Sequence, residues 1–379
     1  MSVALNPFLF FRRNLARTLP TTFVIVIAVV LVASVVSIVH SVDLTVYTLY
    51  GYNRYLTGLT PRNSLAVPDR DVAAVERLPD LGPLFPAHSY STLVKTIFGK
   101  MPLPVFGLDA AGRATMMERC GVRLVSGRMP AEGEPEAVIS DDVARNLGVR
   151  IGGVLFDPDS PDSYAPVPIR LVGLLRGPVW LGLTSKSLVD AHSPFSYTGY
   201  LAFSRVPGDM EQRRLDAEIA RAVNPGATRV WKYSGLVAET RSALSNLYLI
   251  LNLVIGIIVF AISFVCGLLS NIYFTQRLPE VATLSAIGYP RSQLLRRALA
   301  DTCLLCALGW SLGVGATVLL LAVVRSIYLS PRGLLLNALD PHAISFTLPL
   351  PIAITAFAFV TIALRLATLD PVSIIERRG

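Results

Sequence analysis

Four long apolar runs interrupt an otherwise mostly polar sequence. The first, residues 22–42, carries no formally charged side chain and is long enough, at ~1.5 Å per helical residue, to cross a ~30 Å hydrocarbon core. Similar runs follow at 247–270, 303–324 and 344–363, so the pattern predicts four transmembrane helices. A cleaved signal peptide fits the first run less well than a retained anchor, because the run is too long and no small-x-small cleavage site follows it.

The long stretch between the first two runs has mixed helix and strand signals with ordinary turn chemistry. Ser140 is placed as a helix N-cap and Gly148 as a left-handed helix stop. No nucleophile, metal cluster or phosphate-binding loop is visible in it, so the sequence predicts a small non-catalytic α/β domain. Helices are predicted at 69–78 and 141–147, and strands at 136–139, 154–156 and 167–175.

Composition and the distribution of charged residues predict how the chain is oriented in a membrane. The chain is 53% hydrophobic and only 16% charged, with a mean hydropathy of +0.55, which is unlike a soluble domain. The net charge of +8 could suggest nucleic acid, but the large central region is nearly neutral. Ten basic residues against four acidic ones lie in the two ends and the loop between the second and third runs. This bias places both termini in the cytoplasm and predicts no nucleic-acid partner.

The resulting layout has nine segments. The residues after the first span and before the second, 43–56 and 236–246, have few helix breakers and are expected to extend those helices as a stalk. The segments are a cytoplasmic interfacial helix (1–19), the first span (20–42), an extracytoplasmic α/β domain with stalk helices (43–246), the second span (247–275), a cytoplasmic coupling loop (276–297), the third span (298–326), a short extracytoplasmic loop (327–343), the fourth span (344–367) and a cytoplasmic tail (368–379).

The loop between the second and third spans contains a short amphipathic pattern. Pro279 suits the first position of a helix, Gly288 suits its end, and Pro290 prevents its continuation. Apolar side chains at Val281, Leu284 and Ile287 recur at helical spacing. Two interpretations remain open: a solvated cap on the helix bundle, or a helix that docks into a groove on a soluble partner.

A family resemblance favours docking. The sequence EVATLSAIGYPRSQLLRRALADTCLLCALGWSLG, which begins at Glu280, resembles the signature of FtsX/MacB-like permeases. Its Ile-Gly-Tyr and Gly-Trp-x-x-Gly motifs, ending at Tyr289 and Gly313, are similar to the DevC-like branch. The closing RLATLDPVSIIERRG resembles the family's C-terminus, and VRLVSGRMPAEGEPEAVISDDVARNLGVRIGG resembles the MacB-type periplasmic core.

The resemblance implies a docking site for an ATP-binding subunit. Three positions depart from the family pattern: Pro279 replaces an arginine, Ala282 replaces a glycine and Ser285 replaces a second arginine. Docking is therefore expected to depend on the shape of the helix and on Glu280, and less on charge pairing. Gly309 and Gly313 are interpreted as a helix-packing pair in preference to a hinge. The predicted ATPase-coupling residues are Pro279, Glu280, Val281, Leu284, Ala286, Ile287, Gly288, Tyr289 and Pro290.

Motifs and charged residues that are absent from the sequence disfavour several classes of function. It has no GxxxxGK[ST] loop, so the chain is predicted to be a non-catalytic subunit without cofactor or metal, with ATP and Mg²⁺ held by a partner ATPase. The span cores hold no Asp, Glu, Lys or Arg, which disfavours a proton- or sodium-coupled carrier. Cys303-x-x-Cys306 lies in an apolar run, which favours packing over redox or metal chemistry.

The leading hypothesis is therefore an ABC-transporter permease of the mechanotransmission type in the bacterial inner membrane. It would be a homodimer that moves or extracts an amphipathic lipid, glycolipid or peptide together with a membrane-fusion adaptor or another extracytoplasmic partner. The first alternative is a subunit of the same architecture that transports nothing and regulates a cell-wall enzyme. The others are a membrane-anchored receptor, which would work without an ATPase, and an intramembrane enzyme, for which no reactive pair is visible.

Overall fold

A computed structural model describes residues 15–97, 99–193, 198–276 and 290–367. The helices are α1 (Leu15–Leu49), α2 (Asp69–Glu76), α3 (Ala110–Arg119), α4 (Asp141–Leu147), α5 (Lys186–His192), α6 (Asp209–Ala222), α7 (Tyr233–Ala243), α8 (Ser245–Gln276), α9 (Arg291–Val324), α10 (Pro341–Phe346) and α11 (Pro349–Ala367). The strands are β1 (Thr57–Pro61), β2 (Leu81–Thr96), β3 (Gly99–Leu108), β4 (Arg123–Gly127), β5 (Glu136–Ser140), β6 (Val154–Phe156), β7 (Ile169–Arg176), β8 (Gly182–Ser185), β9 (Gly199–Ser204) and β10 (Thr228–Trp231).

Internal contacts divide the chain into two units. The helical unit comprises Met1–His40, Asn246–Arg325 and Leu336–Gly379, and the α/β unit comprises Ser41–Ser245 and Ser326–Leu335. Among the described residues, four helical stretches are long and apolar enough to cross a membrane. The predicted fold class, four apolar helices with a mixed α/β domain, is confirmed.

Two helix ends differ from the sequence prediction. The predicted stalk helix through residue 56 is too long, because α1 ends at Leu49 and a short 3₁₀ helix, Gly51–Arg54, follows. The fourth apolar run is divided, because α10 ends at Phe346 and α11 begins at Pro349. Proline has no backbone N–H to donate, so Pro349 suits the first turn of α11, where that N–H would have no partner within the helix.

The core of the helical unit joins three helices. Ile25 and Val29 of α1 pack with Leu305 and Cys306 of α9 and with Ile354 of α11. A second cluster joins α1 to α8 and α10 through Val32, Val36, Ile255 and Ala343. By contrast, only 6% of the most apolar window of α8, Tyr248–Val265, is buried inside the chain. Most residues of this window are therefore not buried by the rest of the chain that the structure describes.

The α/β unit is built on one ten-stranded sheet. Its strand order is β10-β1-β9-β2-β3-β8-β5-β7-β4, and β6 pairs with β7. Most neighbouring strands are antiparallel, whereas β3 with β8 and β5 with β7 are parallel. Helices α2 and α6 contribute Val75, Leu215 and Ile219 to a cluster with Leu59 and Ala202 of the sheet. Strands that are far apart in sequence, such as β1 and β9, are thus neighbours in the sheet.

The local predictions within this domain are largely confirmed. Helix α4 has the predicted bounds and ends at Gly148 with φ of +74°. Strand β6 also matches, and β5 and β7 agree within two residues at each end. Ser140 is the N-cap residue of α4 as predicted, but its hydroxyl makes no capping hydrogen bond. It instead accepts a hydrogen bond of 2.8 Å from the backbone N–H of Leu181.

Two left-handed glycines permit a matched stability test. Gly127 has φ of +77° and Gly148 has φ of +74°, so alanine at either position strains the backbone by roughly 1–2 kcal/mol. A Cβ at Gly127 would also collide with the carbonyl oxygen of Val172 and lie 2.7 Å from the Cα of Gly173, whereas nothing lies within 4 Å at Gly148. We expect Gly127→Ala to lower the free energy of unfolding by about 1–3 kcal/mol more than Gly148→Ala. Thermal unfolding of both variants measures the difference, and equal losses would contradict the close approach of β4 and β7.

Candidate functional site

The predicted coupling residues lie mostly outside the described residues. Pro279 to Tyr289 are not described, and Pro290 is the N-cap residue of α9. The Pro290 carbonyl accepts hydrogen bonds from the N–H groups of Gln293, at 2.9 Å, and Leu294, at 3.3 Å. Helix α8 ends at Gln276 and α9 begins at Arg291, so the coupling segment connects two of the long apolar helices directly.

The two glycines predicted to pack helices lie against α1. A Cβ added at Gly313 would lie 2.7 Å from the Cβ of Val29, and one added at Gly309 would lie 2.9 Å from the Cγ2 of Ile25. Gly315, two residues further along α9, has nothing within 4 Å of the same point. The backbones of α1 and α9 therefore approach closely along one face of α9, and a larger side chain there needs α1 to move.

Helix α9 also contacts the break between α10 and α11. The Nε1–H of Trp310 donates a 2.9 Å hydrogen bond to the Oγ1 of Thr347, which is completely buried. Leu305 of α9 packs with Ile354 of α11, and Phe264 of α8 lies edge-on to Phe357 of α11, with ring centroids 6.3 Å apart. Helices α8 and α9, which flank the coupling segment, are thus both packed on α11.

A polar pair that the sequence analysis missed lies in the helical unit. The Nδ1 of His40 lies 2.6 Å from the Oδ2 of Asp340, and the rings of His40 and His342 are 5.3 Å apart. The other Asp340 oxygen accepts a hydrogen bond from the N–H of His342 and so caps α10. His40 and Asp340 are 300 positions apart in sequence, and no local pattern indicates that they pair.

Two of the depressions in the α/β unit, neither of them predicted, differ in their lining. The wider one, about 770 Å³, has basic and tyrosine side chains in its lining together with Asp216. In it Arg54 donates a 2.9 Å hydrogen bond to the hydroxyl of Tyr233 and lies over that ring, and it has no carboxylate partner among the described residues. The narrower one, about 250 Å³, is lined mainly by apolar and aromatic side chains.

Sequence comparison identifies the membrane-spanning part. The family model described as FtsX-like permease C-terminal matches residues 240–371, which contain all of α8, α9, α10 and α11. Through this region the chain is similar to FtsX-like permeases. Its four apolar helices are long enough to span a membrane. The narrower assignment to a DevC-like branch stays a prediction. Comparison with curated protein sequences finds no match.

Three solved structures are similar to parts of this chain at low identity. The periplasmic region of MacB from Actinobacillus actinomycetemcomitans is 10% identical, covers 49% of this chain and 92% of its own, and has a TM-score of 0.31. The extracellular domain of YknZ, a noncanonic ABC-type transporter from Gram-positive bacteria, is 12% identical, covers 47% and 100%, and has a TM-score of 0.30. A domain of a putative permease protein from Porphyromonas gingivalis is 13% identical, covers 47% and 89%, and has a TM-score of 0.27. Superpositions at this level do not distinguish one activity from another.

Proposed function

We propose that this chain is the membrane-spanning subunit of an ABC-type system that exports or extracts an amphipathic substrate. A separate ATPase subunit binds ATP and Mg²⁺, and the chain itself is not an enzyme. The observation that carries the proposal is the FtsX-like permease match at residues 240–371, which includes the whole predicted coupling segment and the helices on both sides of it. Permeases of this family are generally non-catalytic membrane subunits.

The packing of the helical unit supports a mechanical role. Helix α9 runs without interruption from Arg291 to Val324, so a displacement at its first turn moves the whole helix. Its contact with α1 at Gly309 and Gly313 leaves little space for the two helices to move independently. Helix α1 is itself continuous to Leu49, and its residues from Ser41 onward belong to the α/β unit. We infer that nucleotide-driven motion passes from the coupling segment through α9 to α1.

The proposal includes the topology of the chain in the membrane, its oligomeric state and its extracytoplasmic partner. The charge bias places both termini and the coupling segment in the cytoplasm and the α/β unit outside the inner membrane. Two copies are the natural unit, because four helices enclose little space and the apolar window of α8 is only 6% buried. A membrane-fusion adaptor or another extracytoplasmic protein completes an export system.

A second function is compatible with the same architecture. In it the chain passes ATPase motion to a cell-wall enzyme and transports nothing. The identity of the extracytoplasmic partner distinguishes the two functions. A membrane-fusion adaptor would favour export, and a peptidoglycan hydrolase would favour regulation of a cell-wall enzyme. The receptor alternative requires no ATPase at all.

Purification of the intact chain from its native membrane in mild detergent tests the proposal. We expect an ABC-type ATPase to copurify in a fixed ratio and to hydrolyse ATP in the complex. A cysteine that replaces Tyr289 is expected to react with membrane-impermeant reagents only from the cytoplasmic face. Absence of any ATP hydrolase from the complex, or labelling of that cysteine from outside, would overturn the assignment.

A further inference from the structure

The wider depression of the α/β unit, of about 770 Å³, is lined by residues of α1, the 3₁₀ helix, α6 and α7 with its N-cap. The basic side chains in its lining are Arg54, Arg213, Lys232 and Arg241. Among the described residues of the lining, Asp216 is the one acidic side chain, and it is only 5% exposed. Burial raises the pKa of the Asp216 carboxyl, with the hydrogen bond from the Thr57 hydroxyl opposing the shift. The wall of the depression is therefore predominantly basic.

Two of the basic side chains are available to a ligand. The Nη2 of Arg213 and the Nε of Arg241 lie 2.7 Å and 3.5 Å from aspartate oxygens, so these two charges are paired. Arg54 and Lys232 form no ion pair with a carboxylate among the described residues. The Nη1 of Arg54 and the Nζ of Lys232 make no hydrogen bond among the same residues, and neither nitrogen is closed to water. A negatively charged ligand therefore gains charge-assisted hydrogen bonds here without breaking a bond within the chain.

Two tyrosine hydroxyls add further donors to the same lining. The Nη2 of Arg54 donates a 2.9 Å hydrogen bond to the hydroxyl of Tyr233, and the Nη2 of Arg241 donates a 2.5 Å hydrogen bond to the hydroxyl of Tyr47. Arginine only donates, so each tyrosine oxygen accepts in these bonds and keeps its own O–H to donate. Neither O–H has an acceptor among the described residues. This set of donors suits a ligand whose oxygens only accept.

The depression lies close in sequence to the ends of two apolar helices. Helix α1 is continuous to Leu49, and Tyr47 lies five residues past the first apolar run, which is ~7.5 Å along the helix at ~1.5 Å per residue. Arg241 lies seven residues before Tyr248, where the apolar window of α8 begins. The headgroup layer of a bilayer extends roughly 5–8 Å beyond the hydrocarbon core on each side. Tyr47 is therefore at the level of lipid headgroups.

We propose that this depression binds a phosphate ester, with the phosphate held by Arg54, Lys232 and the hydroxyls of Tyr47 and Tyr233. Arginine presents two parallel N–H groups to phosphate oxygens, and lysine adds a compact positive charge. The volume lies within the range of ligand pockets and leaves room for the group that is esterified to the phosphate. The headgroup of an anionic phospholipid and a soluble phosphate ester share this chemistry. Binding needs no nucleotide, so it goes beyond the proposed transport function and holds or fails separately from it.

Lysine NMR of the intact chain in lipid nanodiscs reads the site in the wild-type protein. Reductive methylation with carbon-13 labels every lysine and preserves its charge. The chain has four lysines, which are Lys95, Lys100, Lys186 and Lys232. In phosphatidylcholine nanodiscs we expect glycerol 1-phosphate to shift the Lys232 resonance saturably and to bind about tenfold more tightly than glycerate, which has a carboxylate of lower charge. The other three lysines are internal controls, because none of them lines the depression.

A second set of nanodiscs distinguishes the two sources of phosphate. When phosphatidylglycerol replaces half of the phosphatidylcholine, we expect the Lys232 resonance to shift without any soluble ligand. A response of Lys232 to either source supports the site and identifies the source. A response to neither, an equal affinity for glycerate, or an equal response of all four lysines would each overturn the proposal.

Matched variants separate the site from the general charge of the domain. Arg54→Gln removes one of the two unpaired charges, and we expect it to weaken binding of glycerol 1-phosphate, followed at Lys232, about tenfold. Arg221→Gln removes the same charge from an exposed position of α6 that does not line the depression, and it should bind as the wild type does. Equal weakening in the two variants would show that only general charge attracts the ligand, and would overturn the proposal.

Discussion

Leu284→Asp is expected to reduce the amount of ATPase that copurifies with the permease by at least about tenfold. Val281, Leu284 and Ile287 recur at helical spacing, so in a docked helix they face the same apolar groove. A carboxylate placed in the middle of that stripe must be desolvated on docking without a partner charge, which costs several kcal/mol. Pull-down from mild detergent, quantified as ATPase per permease, measures the loss.

Ser285→Asp is the matched control for this experiment. It introduces the same charge at the next position, which is turned about 100° around the helix from Leu284 and so lies beside the stripe and not in its middle. We expect it to retain the ATPase to within about twofold, because an exposed charge contributes little to binding. Equal retention by wild type, Leu284→Asp and Ser285→Asp would show that this segment does not dock an ATPase. An equal loss in both variants would point to charge alone and contradict the apolar groove.

Gly313→Leu is expected to destabilise the helical unit strongly and to uncouple ATP hydrolysis from transport. A Cβ at this position would lie 2.7 Å from the Cβ and 2.9 Å from the Cγ1 of Val29, so leucine forces α9 away from α1. Overpacking of this kind typically costs 1–3 kcal/mol. The midpoint of thermal unfolding in detergent measures stability, and the ratio of substrate moved to ATP hydrolysed measures coupling.

Gly315→Leu provides the control in the same helix, because nothing lies within 4 Å of a Cβ at that residue. We expect it to behave as the wild type does in both measurements. The double variant Gly313→Ala with Val29→Gly removes both colliding atoms of Val29, its Cβ and its Cγ1, and should recover part of the loss seen in Gly313→Ala alone. If Gly313→Leu and Gly315→Leu have the same effect, the approach of α1 and α9 has no role in stability or coupling.

Short-range patterns in the sequence were sufficient to predict the helices and strands that depend only on neighbouring residues. The four apolar runs, helix α4 with its left-handed Gly148 and strand β6 were all predicted, because each depends on periodicity or on one glycine. The sequence did not predict the contacts that a remote group decides. Ser140 is the N-cap residue of α4 as predicted, but its hydroxyl is used by Leu181, which is 41 residues away. The division of the fourth run at Thr347 coincides with a hydrogen bond from Trp310 of another helix.

The sequence by itself determined that the chain crosses a membrane, which loop carries the amphipathic segment and which family the spans resemble. These properties are encoded by composition and spacing within about 30 residues, the length of a spanning helix with its flanks. Only the tertiary structure decided that Gly313 contacts Val29 and that Arg54 and Lys232 line one depression. Such contacts join strands and helices that are far apart along the chain, and their positions follow from sheet order and helix packing. No local pattern carries that information.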